Sequence, residues 1–227
     1  MNILQLVRRG FPSFRGQRRD EGLTLVETLI TAALTGVVLL IVSTMTISAL
    51  RTVRGVRGTT NSTADARTAS QAVTKALRVA VTPDDTTPAF AQATARSVSF
   101  YSSMLRGSDV GNVALPIPTL VSYTVDTSRN CLLETKTPGV SGTPPTWPAS
   151  GTASTCLARG TINIDGTPIF AYFDSSGAVL TPTATGLSVA DRGRVASVTV
   201  QLAVTPAGDG KTSTARTSVV MVNLGDN

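Results

Sequence analysis

The chain has 227 residues, of which 41% are apolar, and its formal net charge is +6. This length allows one globular domain and an appendage. Five arginines and two acids in residues 1–22 give that leader a charge of +3, half of the total. The rest of the chain lacks a run of basic residues, so nucleic-acid binding is not indicated.

The sequence contains no histidine, the commonest general base and metal ligand. It also lacks a glycine-rich phosphate loop, a nucleophile elbow and paired catalytic carboxylates. The two cysteines alone cannot complete a four-ligand zinc site, so a Cys131–Cys156 disulfide is predicted for an exported domain. We therefore predict neither an enzyme nor a metal or cofactor site.

Three aspartates near glycines are candidate calcium ligands. Asp165, Asp174 and Asp209 do not form the D-x-[DN]-x-[DN]-G series of a calcium loop. They are interpreted as ordinary turn aspartates.

Residues 23–50 read LTLVETLITAALTGVVLLIVSTMTISAL and contain one charged side chain, Glu27. As a helix, this segment would extend about 42 Å, enough to cross the roughly 30 Å hydrocarbon core of a bilayer. Its Thr and Ser hydroxyls can bond to carbonyls of the preceding turn, which makes them tolerable in lipid. The arginines before it favour a cytoplasmic amino terminus and an extracytoplasmic bulk.

Glu27 is the unusual residue of this segment. An unpaired carboxylate costs about 2.5 to 3.5 kcal/mol at the centre of a membrane helix, and less toward the interface. It is either a functional residue that requires a cationic partner or a residue lying at headgroup depth.

The run GLTLVETLI after an Arg-rich leader closely resembles the cleavage motif of type IV prepilins and type II secretion pseudopilins. The resemblance covers residues 22–50. It implies that a prepilin peptidase cuts between Gly22 and Leu23 and that Leu23 becomes N-methylated. It also implies that Glu27 pairs with the amino group of a neighbouring subunit, which lowers the cost of both charges and sets the stagger of the packed helices. The sequence departs from the family in starting the mature chain with Leu, in its long leader, and in lacking a helix-kinking proline.

The same resemblance implies the location and the partners. The chain is expected in the bacterial inner membrane as a single-pass protein and then in a cell-surface or periplasmic filament. The expected partners are prepilin peptidase, other pilin or pseudopilin subunits through their N-terminal helices, and the inner-membrane assembly platform.

Beyond the anchor, residues 51–82 show the apolar spacing of an amphipathic helix, so one helix is predicted over residues 24–81. In the head, residues 83–227, short alternating or β-branched runs separated by turn residues predict an antiparallel sheet. The predicted strands are residues 97–102, 119–125, 131–135, 169–174, 195–204 and 213–222. In VASVTVQLAV, one buried face is predicted to hold Val198, Val200, Leu202 and Val204.

Between the cysteines, residues 135–155 read TKTPGVSGTPPTWPASGTAST and are rich in Pro, Gly, Ser and Thr. They are predicted to be a surface loop closed by the disulfide. Trp147 lies in it, either as a contact point for a partner or as a hydrophobic pin that holds the loop to the sheet.

The predicted fold class is α+β, with a pilin-like arrangement of a long N-terminal helix packed on an antiparallel head. FAYFDSSGAVL, DRGRVASVTVQLAV and RTSVVMVNL resemble the carboxy-terminal sheet of J-type minor pseudopilins and their pilus counterparts. This second resemblance implies a minor structural subunit of a pilus, a secretion pseudopilus or a DNA-uptake apparatus.

Two alternatives belong to other classes. One is a monomeric, signal-anchored surface module that binds carbohydrate or protein through its head. The other is a membrane-tethered hydrolase, which without histidine would need Ser-Lys chemistry with Lys75, Lys136 or Lys211.

Overall fold

A computed structural model describes residues 24–103, 117–142, 144–150, 152–163, 165–207 and 211–221. The predicted α+β class is confirmed: one long N-terminal helix is followed by antiparallel sheets. The chain divides into two units, residues 1–48 and 49–227.

The long helix, α1, covers Leu25–Arg78. It ends slightly before the predicted boundary at residue 81, because Ala80 forms a β-bridge with Ser102. Val81 N–H then donates to the Tyr101 carbonyl at 2.9 Å, so the chain leaves the helix by pairing with a strand.

The first sheet contains five strands in sequential order, and every neighbouring pair is antiparallel. The strands are β1 (Phe90–Ala93), β2 (Ser97–Ser102), β3 (Thr119–Asp126), β4 (Cys131–Thr137) and β5 (Ala153–Arg159). The sequence predicted β2, β3 and β4 but missed β1 and β5. Both missed strands lie at the sheet edges, and neither alternates regularly between buried and exposed residues.

The second sheet has the order β10-β9-β7-β8, and β6 also pairs with β9. Its strands are β6 (Thr161–Ile162), β7 (Phe170–Phe173), β8 (Val179–Leu180), β9 (Ser197–Thr205) and β10 (Ser213–Val220). A short helix, α2 (Val189–Gly193), lies between β8 and β9. The prediction of one sheet was therefore wrong, because the head has two sheets. The last three predicted strands are present as β7, β9 and β10. The prediction for β9 is confirmed, since Val198, Val200, Leu202 and Val204 are buried.

The core of the second unit lies between the later part of α1 and the two sheets. The helix contributes small and branched apolar side chains, including Ala69, Val73 and Leu77, which are fully buried. Hydroxyl groups join the helix to β10: Ser62 Oγ lies 3.0 Å from Ser213 Oγ, and Ser70 Oγ lies 3.1 Å from Thr217 Oγ1. Small residues on both surfaces allow this close approach.

Gly160 connects β5 of the first sheet to β6 of the second. Its φ is +131°, and a Cβ added there would lie 2.4 Å from the Thr205 carbonyl oxygen. Side chains rarely adopt this backbone conformation, and the neighbouring atom belongs to the rigid β9 backbone. The crossing between sheets thus depends on glycine.

We expect Gly160→Ala to destabilise the fold by about 1 to 3 kcal/mol through backbone strain, with the steric overlap adding to that cost. Chemical unfolding of the full chain in detergent measures the change. Gly193→Ala is the matched control, because Gly193 has ordinary φ and nothing lies within 4 Å of the added Cβ. Equal stability of the two variants would contradict the role given to Gly160.

Candidate functional site

The residues predicted for the N-terminal site are only partly described. Gly22 and Leu23, the predicted cleavage and methylation positions, lie outside the described residues. Glu27 lies in the first turn of α1 and is exposed. No side-chain hydrogen bond or ion pair joins its carboxylate to another described residue, so within the described chain its charge is unneutralised.

The start of α1 contains a capping interaction that the sequence analysis missed. Thr24 Oγ1 accepts a hydrogen bond from Glu27 N–H at 3.3 Å, and the Thr24 carbonyl accepts from Thr28 N–H at 3.2 Å. Threonine followed three residues later by glutamate is the signature of a capping box, and this pattern could have been found in the sequence. Glu27 also carries its negative charge near the positive end of the helix dipole.

The apolar part of α1 exposes its side chains on every face. From Leu25 to Leu50 all residues are exposed, including Leu29, Leu34 and Leu40, each more than 60%. At 1.5 Å per residue these positions cover about 39 Å. This is one helix long and apolar enough to span a membrane.

The hydroxyl groups within this segment bond to the helix backbone, as predicted. Thr31 Oγ1 donates to the Glu27 carbonyl at 2.9 Å, and Thr35 Oγ1 donates to the Thr31 carbonyl at 2.7 Å. Thr44 and Thr46 make the same kind of bond at 2.8 Å. The helix therefore satisfies these hydroxyl donors without water, which suits an apolar environment.

The predicted disulfide is confirmed, and it joins Cys131 to Cys156 across neighbouring strands. The prediction that residues 135–155 form a surface loop was wrong at both ends of that segment. β4 continues to Thr137, and β5 already begins at Ala153, so backbone pairing extends into sequence that is poor in apolar residues. Side-chain composition misses such strands because ladder hydrogen bonds use only the backbone.

Trp147 acts as the predicted hydrophobic pin of the shortened loop. Its ring packs against Tyr101, with centroids 4.5 Å apart, and its Nε1–H donates to the Pro118 carbonyl at 2.8 Å. The side chain is half-buried. The ring and its N–H therefore both make contacts within the head, as the interpretation of Trp147 as a hydrophobic pin expects.

The described aspartates are held by their own turns, as expected. Asp174 accepts from Ser176 and Ala178 and pairs with Arg194 at 2.8 Å. The Ser176 hydroxyl bond, followed by the Ala178 N–H, lowers the Asp174 pKa. Asp165 accepts from Thr167 N–H at 3.2 Å, while Asp209 lies outside the described residues. Among the residues that the structure describes, no three His, Cys, Asp or Glu side chains form a metal-binding group.

A buried acid in the first sheet is also fully engaged. Glu134 accepts from the Tyr123 hydroxyl and from Lys136 Nζ, each at 2.7 Å. Burial and the bond to Glu134 raise the Tyr123 pKa. Of the three lysines that could serve Ser-Lys catalysis, Lys136 is therefore paired with an acid. Within the described chain, no serine or threonine hydroxyl bonds to the ammonium groups of Lys75 or Lys211.

The structure is that of an α+β protein with a disulfide and, among the residues it describes, one N-terminal helix that could span a membrane. No protein-family model matches the chain, and no curated protein matches its sequence significantly.

Proposed function

We propose that this chain is a minor pilin or pseudopilin, a structural subunit that joins a type IV pilus-like filament after removal of its leader. The observation that carries the proposal is Glu27, a lone exposed acid one turn into an apolar helix and five residues into the proposed mature chain. The motif GLTLVETLI around it supports the same conclusion.

Proteolysis supplies the missing positive charge. Cutting between Gly22 and Leu23 creates a cationic amino group, which N-methylation leaves cationic. When two subunits pack along their apolar helices, this group on one copy neutralises Glu27 on the next. The paired charges avoid the cost of an isolated carboxylate in an apolar environment, and they fix the axial stagger of the helices.

The head supports the assignment to a minor subunit with a pilin-like fold. The later part of α1 packs on antiparallel sheets, and a disulfide stabilises the first of them. The stretches that resemble J-type minor pseudopilins contain β7, β8, most of β9 and, within their described residues, the second half of β10. The role is thus structural, with prepilin peptidase, other subunits and the inner-membrane assembly platform as partners.

Filament isolation tests the proposal. In cells that assemble type IV pilus-like filaments, we expect the native chain to be recovered in the isolated filaments without its first 22 residues. Gly22→Val should stay full-length in the membrane, because a β-branched side chain replaces the glycine after which the peptidase cuts. Equal recovery of uncleaved Gly22→Val and the native chain in filaments would contradict the proposal.

A further inference from the structure

β10 is the longest of the four edge strands, with eight residues, and no described residue bonds to the backbone groups of its free edge. β8 at the opposite edge of the second sheet has only two residues. The β1 edge is covered by the segment around α2: Arg192 donates to the Phe90 and Ala91 carbonyls, and Leu187 N–H donates to the Ala93 carbonyl at 2.8 Å. At β5, Arg159 N–H donates to Asp65 of α1 at 3.3 Å.

The hydrogen-bonding direction along β10 follows from its register with β9. Met221 N–H donates to the Ala196 carbonyl, and the register keeps this pairing through Val219 with Val198 and Thr217 with Val200. The odd-numbered residues of β10 thus bond to β9, because hydrogen-bonded positions alternate in an antiparallel pair. The backbone groups that point to the free edge belong to Thr214, Arg216, Ser218 and Val220, and no described residue bonds to them.

The side chains of these four edge residues are all exposed on the outer face of the sheet. Arg216 forms no ion pair with any described residue. Val220 is 68% exposed and begins a row across the sheet that continues through Ser197 and Phe173 to Val179, which is 64% exposed. The edge therefore combines unpaired backbone groups with one exposed valine and one arginine that has no ion-pair partner among the described residues.

We infer that the free edge of β10 binds an extended segment of a different protein chain, which adds a strand to the second sheet. Main-chain hydrogen bonds supply the affinity in this mode, and side chains on alternate positions supply the specificity. The bound strand carries Asp or Glu opposite Arg216 and an apolar residue opposite Val220. An acid at that position lies within about 5.5 Å of Arg216 at the level of Cβ atoms.

A second copy of this chain fits the edge less well. Antiparallel pairing of two β10 strands over their full length places Arg216 opposite Ser218 and puts both arginines on the same face as diagonal neighbours. Moving the register to place Arg216 opposite itself sets like charges directly against each other, which is destabilising. A strand with an acid at its centre avoids both repulsions between arginines, the diagonal one and the direct one.

Two synthetic peptides test the inference on the full chain in detergent micelles. The first is Val-Thr-Thr-Thr-Glu-Thr-Thr-Thr-Val, which can place its acid opposite Arg216 and a valine opposite Val220 in either strand direction. The second has Lys instead of Glu. We expect the Glu peptide at saturation to slow amide exchange, measured by NMR, at least tenfold at Thr214, Arg216, Ser218 and Val220. The Lys peptide should bind at least tenfold more weakly.

Two variants identify the edge and its charge. Arg216→Glu is a surface change that should keep the fold and reverse the preference between the peptides. Ser218→Pro removes one edge N–H and the contact of Ser218 Oγ with Thr199 Oγ1 at 3.2 Å, but no backbone bond to β9. It should therefore abolish binding while the amides that face β9 stay protected. If Ser218→Pro does not fold, the peptide preference of Arg216→Glu tests the inference.

The inference is overturned if the Glu peptide leaves the four amides unprotected or if both peptides bind equally. It is also overturned if these amides are already protected, without peptide, in a dimer of the native chain. None of these outcomes depends on leader cleavage or on Glu27, so the proposed function is tested separately.

Discussion

Replacing Glu27 with Ala should reduce incorporation of the chain into filaments at least tenfold while leaving its insertion in the membrane unchanged. Insertion depends on the apolar segment after Thr24, which loses a charge and becomes more apolar in this variant. Incorporation depends on the pair between Glu27 and the amino group of a neighbouring subunit, and a tenfold loss corresponds to about 1.4 kcal/mol. Quantitative immunoblotting of isolated filaments and of membranes measures the two steps.

Glu27→Gln and Thr24→Ala separate the charge from the helix cap. Gln keeps the backbone N–H that bonds to Thr24 Oγ1 and nearly keeps the size of Glu, but it cannot neutralise an amine. We therefore expect Glu27→Gln to fail in assembly as Glu27→Ala does, and Thr24→Ala to assemble nearly as the native chain. Thr31→Val, which removes one hydroxyl bond to the Glu27 carbonyl, is the neutral control on the same helix. Normal assembly of Glu27→Gln would show that assembly does not need the negative charge.

Loss of the disulfide is expected to cost the head about 3.5 kcal/mol, the chain-entropy value for a loop of 25 residues. The bond restricts the unfolded chain, and in the folded state it ties the edge strand β5 to β4. Urea unfolding of the chain with both Cys131→Ser and Cys156→Ser measures the loss. Trp147 is the only tryptophan and packs in the same loop, so its fluorescence reports the transition.

Reductant provides the control for this measurement. The native chain should lose about the same stability in the presence of reductant, whereas the double variant should not respond to it. If the native and reduced chains unfold at the same urea concentration, the disulfide has no stabilising role. The packing of β5 alone would then hold the edge of the sheet.

The long helix was predictable because its signals are local. An apolar run with a single charge gives the membrane-length segment, and the three- and four-residue spacing of Ala69, Val73 and Ala76 gives the face that packs on the head. Likewise, the alternation in β9 identifies its buried side without knowledge of its neighbours. The Thr24 cap is equally local, since Thr24 and Glu27 have the three-residue spacing of a capping box.

The arrangement of the sheets was not predictable in the same way. The division into two sheets depends on Gly160, where a turn with positive φ sends the chain from β5 to β6. Composition also concealed β5, because its first residues, Ala153, Ser154 and Thr155, are exposed and are held by backbone pairing with β4. Contacts between distant residues, such as Trp147 with Tyr101, leave no periodic signal in the sequence.

The intact mass of the membrane form, in cells with active prepilin peptidase, tests the central claim most directly. The account predicts a chain that begins at Leu23 and carries a methyl group on its new amino terminus. A membrane form that still begins at Met1 in those cells would contradict it, because Glu27 would then have no neighbouring amine to neutralise it.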